Sequence, residues 1–413
     1  MNVKITPSPL CGQVAIPPSK SAAHRALICA ALSEGTSRVE PYCTSKDIRA
    51  TASCLRALGM RVEEDEKGYT VGRQNVTKGE TLDFCESGST ARFLMPVAAA
   101  LGADCTMTGE GRLPLRPMGE LTDLLRCHSV EVSGDKLPIT IQGRLTAGEF
   151  PIAGNISSQY ISGLMLAAPL LAEDTHIIPT TNVESVGYID MTIDAMKRQG
   201  VTVEETTNGW KIDGRQGYTP ANISIEGDWS QAAFFMSAAA IGGDIKISGL
   251  DFASHQGDMA ALDVFAAFGA DISIEDNLLH IKKGTLRGIE VNAANIPDMV
   301  PAIAATAAFA DGKTVIHSAE RLRIKESDRI KTTLAALSAM GVKTEERPDG
   351  MIIYGGRPHG GVIDGANDHR IVMAFSVAAA YAEGESIIDG AQAIEKSYPE
   401  FFNDFNTLGG KTE

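Results

Sequence analysis

The stretch "AMKRQGVTVEETTNGWKI", Ala195–Ile212, decides the fold. It runs from an apolar helical pattern through Gly200 into the alternating residues "VTVEE", then "NG", then a second short strand pattern. Glycine directly after a helix suits a C-cap with positive φ. Alternation marks a half-buried strand, and Asn-Gly suits a two-residue turn. The stretch therefore predicts a helix that delivers the chain straight into a β-hairpin. The same pattern recurs in "LRALGMRVEEDEKGYTV" (Leu55–Val71), "LLRCHSVEVSGDKLPITI" (Leu124–Ile141), "VFAAFGADISIEDNLLHI" (Val264–Ile281) and "ALSAMGVKTEERPDGMII" (Ala336–Ile353). A shortened copy, "FNTLGGKTE", closes the sequence.

The pivots between helix and hairpin are Gly59, Ser129, Gly200, Gly269, Gly341 and Gly409, spaced 70, 71, 69, 72 and 68 residues apart. Evenly spaced self-similarity of this kind is the mark of a repeat architecture. Six copies divide as three plus three, which predicts two similar α/β domains with a cleft between them. "IEGDWS" (Ile225–Ser230) is the expected crossing point. The stretches Ile161–Ala172, Ala232–Gly243 and Met299–Ala310 are almost free of polar residues. Helices apolar on every side belong inside a domain.

A chain of 413 residues exceeds one ordinary core, in keeping with two domains. Apolar residues make up 44% and charged residues 22%, the balance of a soluble globular protein. No apolar run reaches membrane-span length, and the beginning lacks a charged start followed by an apolar core, so no signal peptide is expected. The 37 Lys and Arg against 52 Asp and Glu leave a net charge of −15, which argues against nucleic acid as partner. A local cationic cluster for a small anion remains compatible with it. The seven cysteines are scattered, with no C-x-x-C pair, and read as free thiols of a reducing compartment.

Charge interrupts the apolar rhythm at a few loops that open helices. "PPSKSAAHR" (Pro17–Arg25) offers Ser19, Ser21, Lys20 and Arg25 at a helix start. "ESGSTARF" (Glu86–Phe93) offers Gly88, Ser89 and Arg92, and "GEGRLPLRPMGE" (Gly109–Glu120) offers Arg112 and Arg116. "GNISSQYISG" (Gly154–Gly163) supplies Ser157, Ser158 and Gln159. "RLRIKESDRI" (Arg321–Ile330) sets a carboxylate, Glu326, among Lys325, Arg323 and Arg329, with Arg329 one helical turn beyond Lys325. "NDHRIVM" carries Asp368, His369 and Arg370, "EKSYPEFF" carries Lys396, and "NIPDMVPA" carries Asp298. Helix N-termini bind anions through free N–H groups, and Arg forks suit carboxylate and phosphate. Each segment alone has a bland reading as a capped helix or a solvated charge run. Together they describe a cationic cleft holding two carboxylates fit for proton transfer, and a ligand with several negative charges.

The motifs "PSKSAAHR", "SGSTARF", "RPM", "SSQ", "ESVGYIDMT", "EGDWS", "IPDM", "RIKESDR", "NDHR" and "EKSYPEFF", in this order, resemble those of the 5-enolpyruvylshikimate-3-phosphate synthase (3-phosphoshikimate 1-carboxyvinyltransferase) family over essentially the whole chain. The resemblance implies two domains, each of three β-α-β-α-β-β units, an inverse α/β barrel, with the active site in the interdomain cleft. Residues 1–18 with 228–413 are expected to form one domain, on the phosphoenolpyruvate side and with the catalytic carboxylates. Residues 19–227 are expected to form the other, on the shikimate 3-phosphate side. The implied reaction moves the carboxyvinyl group of phosphoenolpyruvate to the 5-hydroxyl of shikimate 3-phosphate and releases phosphate, with no metal or organic cofactor. By the same resemblance Lys20, Gly88, Arg116, Arg329, Arg370 and Lys396 hold phosphoenolpyruvate. Ser21, Arg25, Ser157, Ser158, Gln159, Ser185, Asp298 and Lys325 hold shikimate 3-phosphate. Asp298 is the implied base, Glu326 the implied proton donor, and Lys20 a further catalytic group. Glyphosate is the implied competitor, and a cytoplasmic monomer with no membrane or nucleic-acid partner is expected.

One position departs from the pattern. The family carries Asn where this chain has Glu86, and a carboxylate beside an anionic ligand calls for a cation such as Arg92 or Lys20. The related transferase acting on UDP-N-acetylglucosamine carries a reactive Cys in the loop that here reads "GEGRLPLRPMGE" without one. A non-catalytic binder of phosphorylated acids would account for the cations but not for Asp298 and Glu326 among them.

Overall fold

The computed structural model describes residues 1–413. The chain forms two compact units, Pro18–Ile225 and Met1–Pro17 with Glu226–Glu413. Each unit holds three four-stranded sheets and its own apolar core.

One sheet of the Pro18–Ile225 unit shows how a repeat is built. Strand Thr81–Asp83 pairs in parallel with Thr106–Thr108, which pairs antiparallel with Ile139–Gly143, and Val130–Val132 lies at the edge. A helix connects the parallel strands, as a parallel crossover requires. A second helix precedes the hairpin. The unit reads β-α-β-α-β-β, and Gly148–Ile152, Thr175–Pro179, Glu204–Thr206 and Gly209–Ile212 repeat it.

The remaining sheet of this unit takes its leading strand from the far end of the segment. Asn222–Ser224 pairs in parallel with Ser37–Glu40, so the chain closes its first repeat only as it leaves the unit. The helices here are α1 (Lys20–Leu32), α2 (Lys46–Ala57), α3 (Gly88–Leu101), α4 (Gly119–Cys127), α5 (Ser158–Ala167) and α6 (Val186–Arg198).

The other unit repeats the plan with α7 (Trp229–Gly242), α8 (Ala261–Phe268), α9 (Val300–Ala307), α10 (Arg329–Ala339), α11 (His369–Ala379) and α12 (Phe401–Thr407). Two N-terminal strands explain why Met1–Pro17 belongs with it. Cys11–Ala15 pairs in parallel with Asp244–Ser248 as the leading strand before α7. Asn2–Thr6 pairs with both Ser386–Asp389 and Lys411–Thr412, supplying the strand that the shortened last copy lacks. Helix α7 is buried from Trp229 through Ile241, and α9 along its whole length, so both lie inside the core that their composition predicts.

All six pivots adopt left-handed backbone: Gly59, Ser129, Gly200, Gly269, Gly341 and Gly409 have φ between +68° and +102°. A Cβ at Gly59 would sit 2.2 Å from the Asn75 carbonyl oxygen, so both backbone and space demand glycine there. Ser129 takes the same conformation without glycine. The hairpin strand after Gly200 starts later than the alternation suggests. Val201–Val203 is unpaired, and the strand is Glu204–Thr206. Its partner ends at Ile212, which pairs with Thr175 on its other side, and Val201 turns into the core instead.

Candidate active site

Within Pro18–Ile225 the beginnings of five helices are tied together by side chains. Lys20, the first residue of α1, places Nζ 2.7 Å from Asp47 Oδ2 in the first turn of α2. Thr51 of α2 and Thr90 of α3 share a hydrogen bond of 2.7 Å. From α5, Gln159 Nε2 donates to Ser89 Oγ at 2.8 Å, and Arg92 Nη1 of α3 donates to Gln159 Oε1 at 2.8 Å. Thr192 of α6 donates to Ser162 Oγ of α5 at 2.8 Å. Arg25 of α1 returns to α6, with Nε on Thr192 Oγ1 and Nη2 on the Tyr188 carbonyl, both at 2.7 Å. The ties close a ring: α1, α2, α3, α5, α6 and α1 again.

Arg25 is 2% exposed, so its bonds decide its role. Its third donor, Nη1, reaches the Ser21 carbonyl at 2.7 Å, and its guanidinium lies 4.9 Å from the Phe93 ring centroid. Burial pulls its proton affinity down to about 10, still well above neutral pH. A buried guanidinium bound to carbonyls and a hydroxyl keeps its positive field.

Gly88 opens α3 behind its cap, Ser87. A Cβ at Gly88 would lie 2.6 Å from Arg92 Nη1 and 2.8 Å from Arg116 Nη1, so two guanidinium groups crowd the start of this helix. Such a terminus, with its N–H groups and aligned dipoles, attracts an anion. Ser157 caps α5 by accepting from Gln159 N, and Ser158 is buried as the first residue of that helix. Ser185, with φ +57°, is buried just before α6. Arg112 lies exposed at the head of a 3-10 turn, Leu113–Leu115, while Arg116 at its end is 7% exposed. Glu86 lies against Gly111, where an added Cβ would fall 2.1 Å from Glu86 Oε1.

The Glu226–Glu413 segment builds a second cluster around Asp298, which sits in the 3-10 turn Pro297–Met299 ahead of α9. Asp298 Oδ1 accepts from Arg329 Nη1 at 2.8 Å and from Lys325 Nζ at 3.5 Å. Oδ2 accepts from Arg370 Nη2 at 3.1 Å, and the Asp298 carbonyl accepts from Arg370 Nη1 at 3.1 Å. Arg370 Nη2 also meets Ser230 Oγ at 3.0 Å, which ties in the first turn of α7. Arg329 reaches Asp368, the cap of α11, through Nε at 2.8 Å, and Nη2 donates to Glu326. Lys396 Nζ donates to the Asn367 carbonyl at 2.6 Å.

Three cations, Lys325, Arg329 and Arg370, thus face three carboxylates, Asp298, Glu326 and Asp368. Burial would push Asp298 up, but Arg370, Lys325 and Arg329 outweigh it and hold its carboxyl well below the usual carboxylate range. Burial pulls Lys325 down to about 8, against the raising pull of Asp298. Arg329 is held above the ordinary arginine range, because Asp368, Glu326 and Asp298 overcome the cost of burying it.

Arg323 does not join this cluster. The charge run is broken: the 3-10 turn ends at Ile324, Lys325 is extended, and α10 starts at Arg329 behind the cap Asp328. The break turns Arg323 toward Glu346 at 2.8 Å and Asp328 at 3.4 Å, and toward the carbonyls of Arg347 and Pro348. The break likewise removes the helical-turn relation expected between Lys325 and Arg329. The sequence reading missed Asp47, Tyr188, Thr192 and Ser230 as partners of the cations. Asp47 had a usable signal, an acid in a first turn behind the cap Ser45.

A profile of the EPSP synthase (3-phosphoshikimate 1-carboxyvinyltransferase) family matches residues 5–405. A 3-phosphoshikimate 1-carboxyvinyltransferase of Clostridium novyi (strain NT) is 41% identical, covering 99% of this chain and 98% of the relative. One from Clostridioides difficile (strain 630) is 38% identical, covering 100% and 98%. Among solved structures, an EPSP synthase from Acinetobacter baumannii superposes with a TM-score of 0.85 at 27% identity, over 100% of this chain and 99% of that one. The enolpyruvyl transferase NikO from Streptomyces tendae shares the fold, with a TM-score of 0.83 at 18% identity over 100% and 98%.

Proposed function

The chain belongs to the EPSP synthase (3-phosphoshikimate 1-carboxyvinyltransferase) family, and from that premise we propose how its own residues carry the family's reaction. The reaction adds the 5-hydroxyl oxygen of shikimate 3-phosphate to the central carbon of phosphoenolpyruvate while a proton joins the methylene carbon. The tetrahedral adduct then loses phosphate and returns a proton from the new methyl group, which restores the vinyl bond. Both substrates are multiply anionic, so the cations lower the barrier by holding charge that moves during each step.

In this reading Lys20, Gly88, Arg116, Arg329, Arg370 and Lys396 hold phosphoenolpyruvate. Ser21, Arg25, Ser157, Ser158, Gln159, Ser185, Asp298 and Lys325 hold shikimate 3-phosphate. Asp298 takes the hydroxyl proton, Glu326 delivers one to the methylene carbon, and Lys20 assists. The observation that carries the reading is the six-member charge cluster around Asp298. While Arg329, Arg370 and Lys325 are engaged with it, Asp298 is a poor base. An incoming carboxylate or phosphate that draws on Arg329, Arg370 and Lys325 raises its proton affinity just as substrate arrives. We further propose glyphosate as a competitor of phosphoenolpyruvate, and a cytoplasmic monomer; no helix is long and apolar enough to cross a membrane.

The test is phosphate release from the purified protein with phosphoenolpyruvate and shikimate 3-phosphate together, against each alone. Release only with both supports the reading. Release with UDP-N-acetylglucosamine as acceptor instead overturns the acceptor assignment, and silence with either overturns the catalytic one.

A further inference from the structure

His24 is fully buried on α1, and the roles assigned above do not use it. Its Nδ1 lies 2.7 Å from Thr51 Oγ1 on α2. Thr51 Oγ1 lies 2.7 Å from Thr90 Oγ1 on α3. Thr90 Oγ1 donates to Ser87 Oγ at 2.7 Å, and Ser87 caps α3 by accepting from the Thr90 amide at 3.2 Å. Four side chains, all closed to solvent, thus run in one row from α1 to the start of α3.

The row has one direction. Thr90 Oγ1 has two acceptors, Ser87 Oγ at 2.7 Å and the Asp47 carbonyl at 3.4 Å, and with its proton spent on these it accepts from Thr51. The Thr51 proton is then committed, so His24 Nδ1 carries the hydrogen that Thr51 accepts. Nε2 is left as the bare nitrogen, and it is buried with no partner. A charged ring would bury a second N–H with nothing to accept it. Burial first, then the nearby charges of Lys20 and Arg25, hold the proton affinity of His24 well below the ordinary histidine value, so the ring stays neutral in one tautomer. A leucine would fill this space with no unpaired nitrogen. The ring also meets Phe93 of α3 edge-on, with centroids 6.3 Å apart, so it contacts α3 directly there and reaches Thr90 only through Thr51.

We propose that His24 is a positioning residue which, through Thr51 and Thr90, fixes the Ser87 cap and with it the Gly88 backbone that receives phosphoenolpyruvate. The assignment of Gly88 rests on the function proposed above; the row itself does not.

The test uses the full chain with His24→Leu, His24→Asn and Thr51→Val. The Asn amide N–H falls where Nδ1–H does, so it restores the donor. His24→Leu and Thr51→Val raise KM for phosphoenolpyruvate about tenfold, the order of one lost hydrogen bond, and leave KM for shikimate 3-phosphate unchanged. His24→Asn returns KM to near wild type. Nitrogen-15 spectra of the wild type show a neutral imidazole protonated at Nδ1. The Gly88 and Ser89 amide signals move in His24→Leu and return in His24→Asn. Should His24→Leu not fold, Thr51→Val carries the same measurements. Variants that lose thermal stability but keep KM for phosphoenolpyruvate, unmoved Gly88 and Ser89 signals, or a ring protonated at Nε2 each overturn the proposal. A wild type that turns over neither substrate pair overturns the proposed function alone, and the spectra still decide the row.

Discussion

Replacing Asp298 by Asn separates what this carboxylate does for chemistry, binding and stability. The wild-type cluster balances Lys325, Arg329 and Arg370 against Asp298, Glu326 and Asp368; D298N leaves three cations facing two carboxylates. A missing general base lowers kcat by about 10²–10⁴. The surplus positive charge works the other way on ligand, so phosphoenolpyruvate or inorganic phosphate binds at least as tightly as to the wild type. For stability, Arg329 and Arg370, 1% and 4% exposed, each lose a charged acceptor. Asn keeps an oxygen for one of them, which puts the cost near the lower bound for a broken buried pair, about 3 kcal/mol. At ~2–4 °C per kcal/mol for a domain of this size, Tm falls by about 6–12 °C. The pH sign is fixed by the direction of the Asp298 shift. Its folded carboxyl lies below the unfolded one, so its stabilisation is whole above the ordinary carboxylate range. It is lost only as pH falls through the folded value, so the gap between D298N and wild type closes in strong acid. Phosphate release gives kcat, titration calorimetry the affinity, and scanning calorimetry at several pH values the stability. A kcat within about tenfold of wild type refutes the base assignment, and weaker anion binding refutes the charge balance.

Other expectations can be checked with the same assays. Lys325, pulled down to about 8 by burial, is charged below that pH, so kcat/KM for shikimate 3-phosphate falls as pH rises through about 8. Folding responds oppositely: the buried charge disfavours the folded state, so stability rises between about pH 8 and the ordinary lysine range. Lys325→Arg, which stays charged, moves the alkaline break upward, and an unmoved break assigns it to another group. Gly88→Ala brings a Cβ against the ends of Arg92 and Arg116, which can swing. The fold survives with Tm unchanged or higher, while KM for phosphoenolpyruvate rises about 10–100-fold by displaced guanidinium groups; an unchanged KM sinks the placement. Glu326→Gln keeps both substrates bound and loses about 10²–10⁴ in kcat, whereas a chain that only binds ligand loses nothing by it.

The repeat was legible because each copy meets the same local demand at its pivot. A helix that turns at once into a strand needs one left-handed residue, and five of six copies advertise it with glycine. Ser129 shows the limit, since only the register of its neighbours identifies it. The boundary error at Val201–Val203 has a tertiary cause: alternation reports which side chains are buried, not whether a partner strand is long enough to pair. Arg323 failed for a related reason. A run of charge gives no direction, and the cap at Asp328 that breaks the run decides where Arg323 points. The motif "ESDRIKTTLAAL" did carry that cap, as an acid before a helical pattern. Tyr188 and Thr192 had no comparable signal as partners, because residues 163 and 167 positions from their cation meet only through packing.

The fold also explains how a chain of net charge −15 can gather Lys and Arg in two clusters. In each repeat a helix begins where a strand has just ended, and the two such strands of a repeat are parallel. Every helix of the repeat therefore begins at the same end of its sheet, the end where open parallel arrangements bind ligands. The ring of side chains across α1, α2, α3, α5 and α6 gathers five such beginnings in one unit. Asp298, Arg329, Arg370 and Ser230 gather those of α7, α9, α10 and α11 in the other. Aligned N-termini supply positive potential that no count of Lys and Arg records. The acidic surplus lies elsewhere on the surface, as in the strands Arg61–Asp65 and Glu204–Thr206. Neutralising Glu63 or Glu205 there should alter net charge and leave KM for both substrates unchanged. That places anion affinity in the topology of the repeat, with side chains such as Arg25 and Arg329 refining a field the backbone has already set.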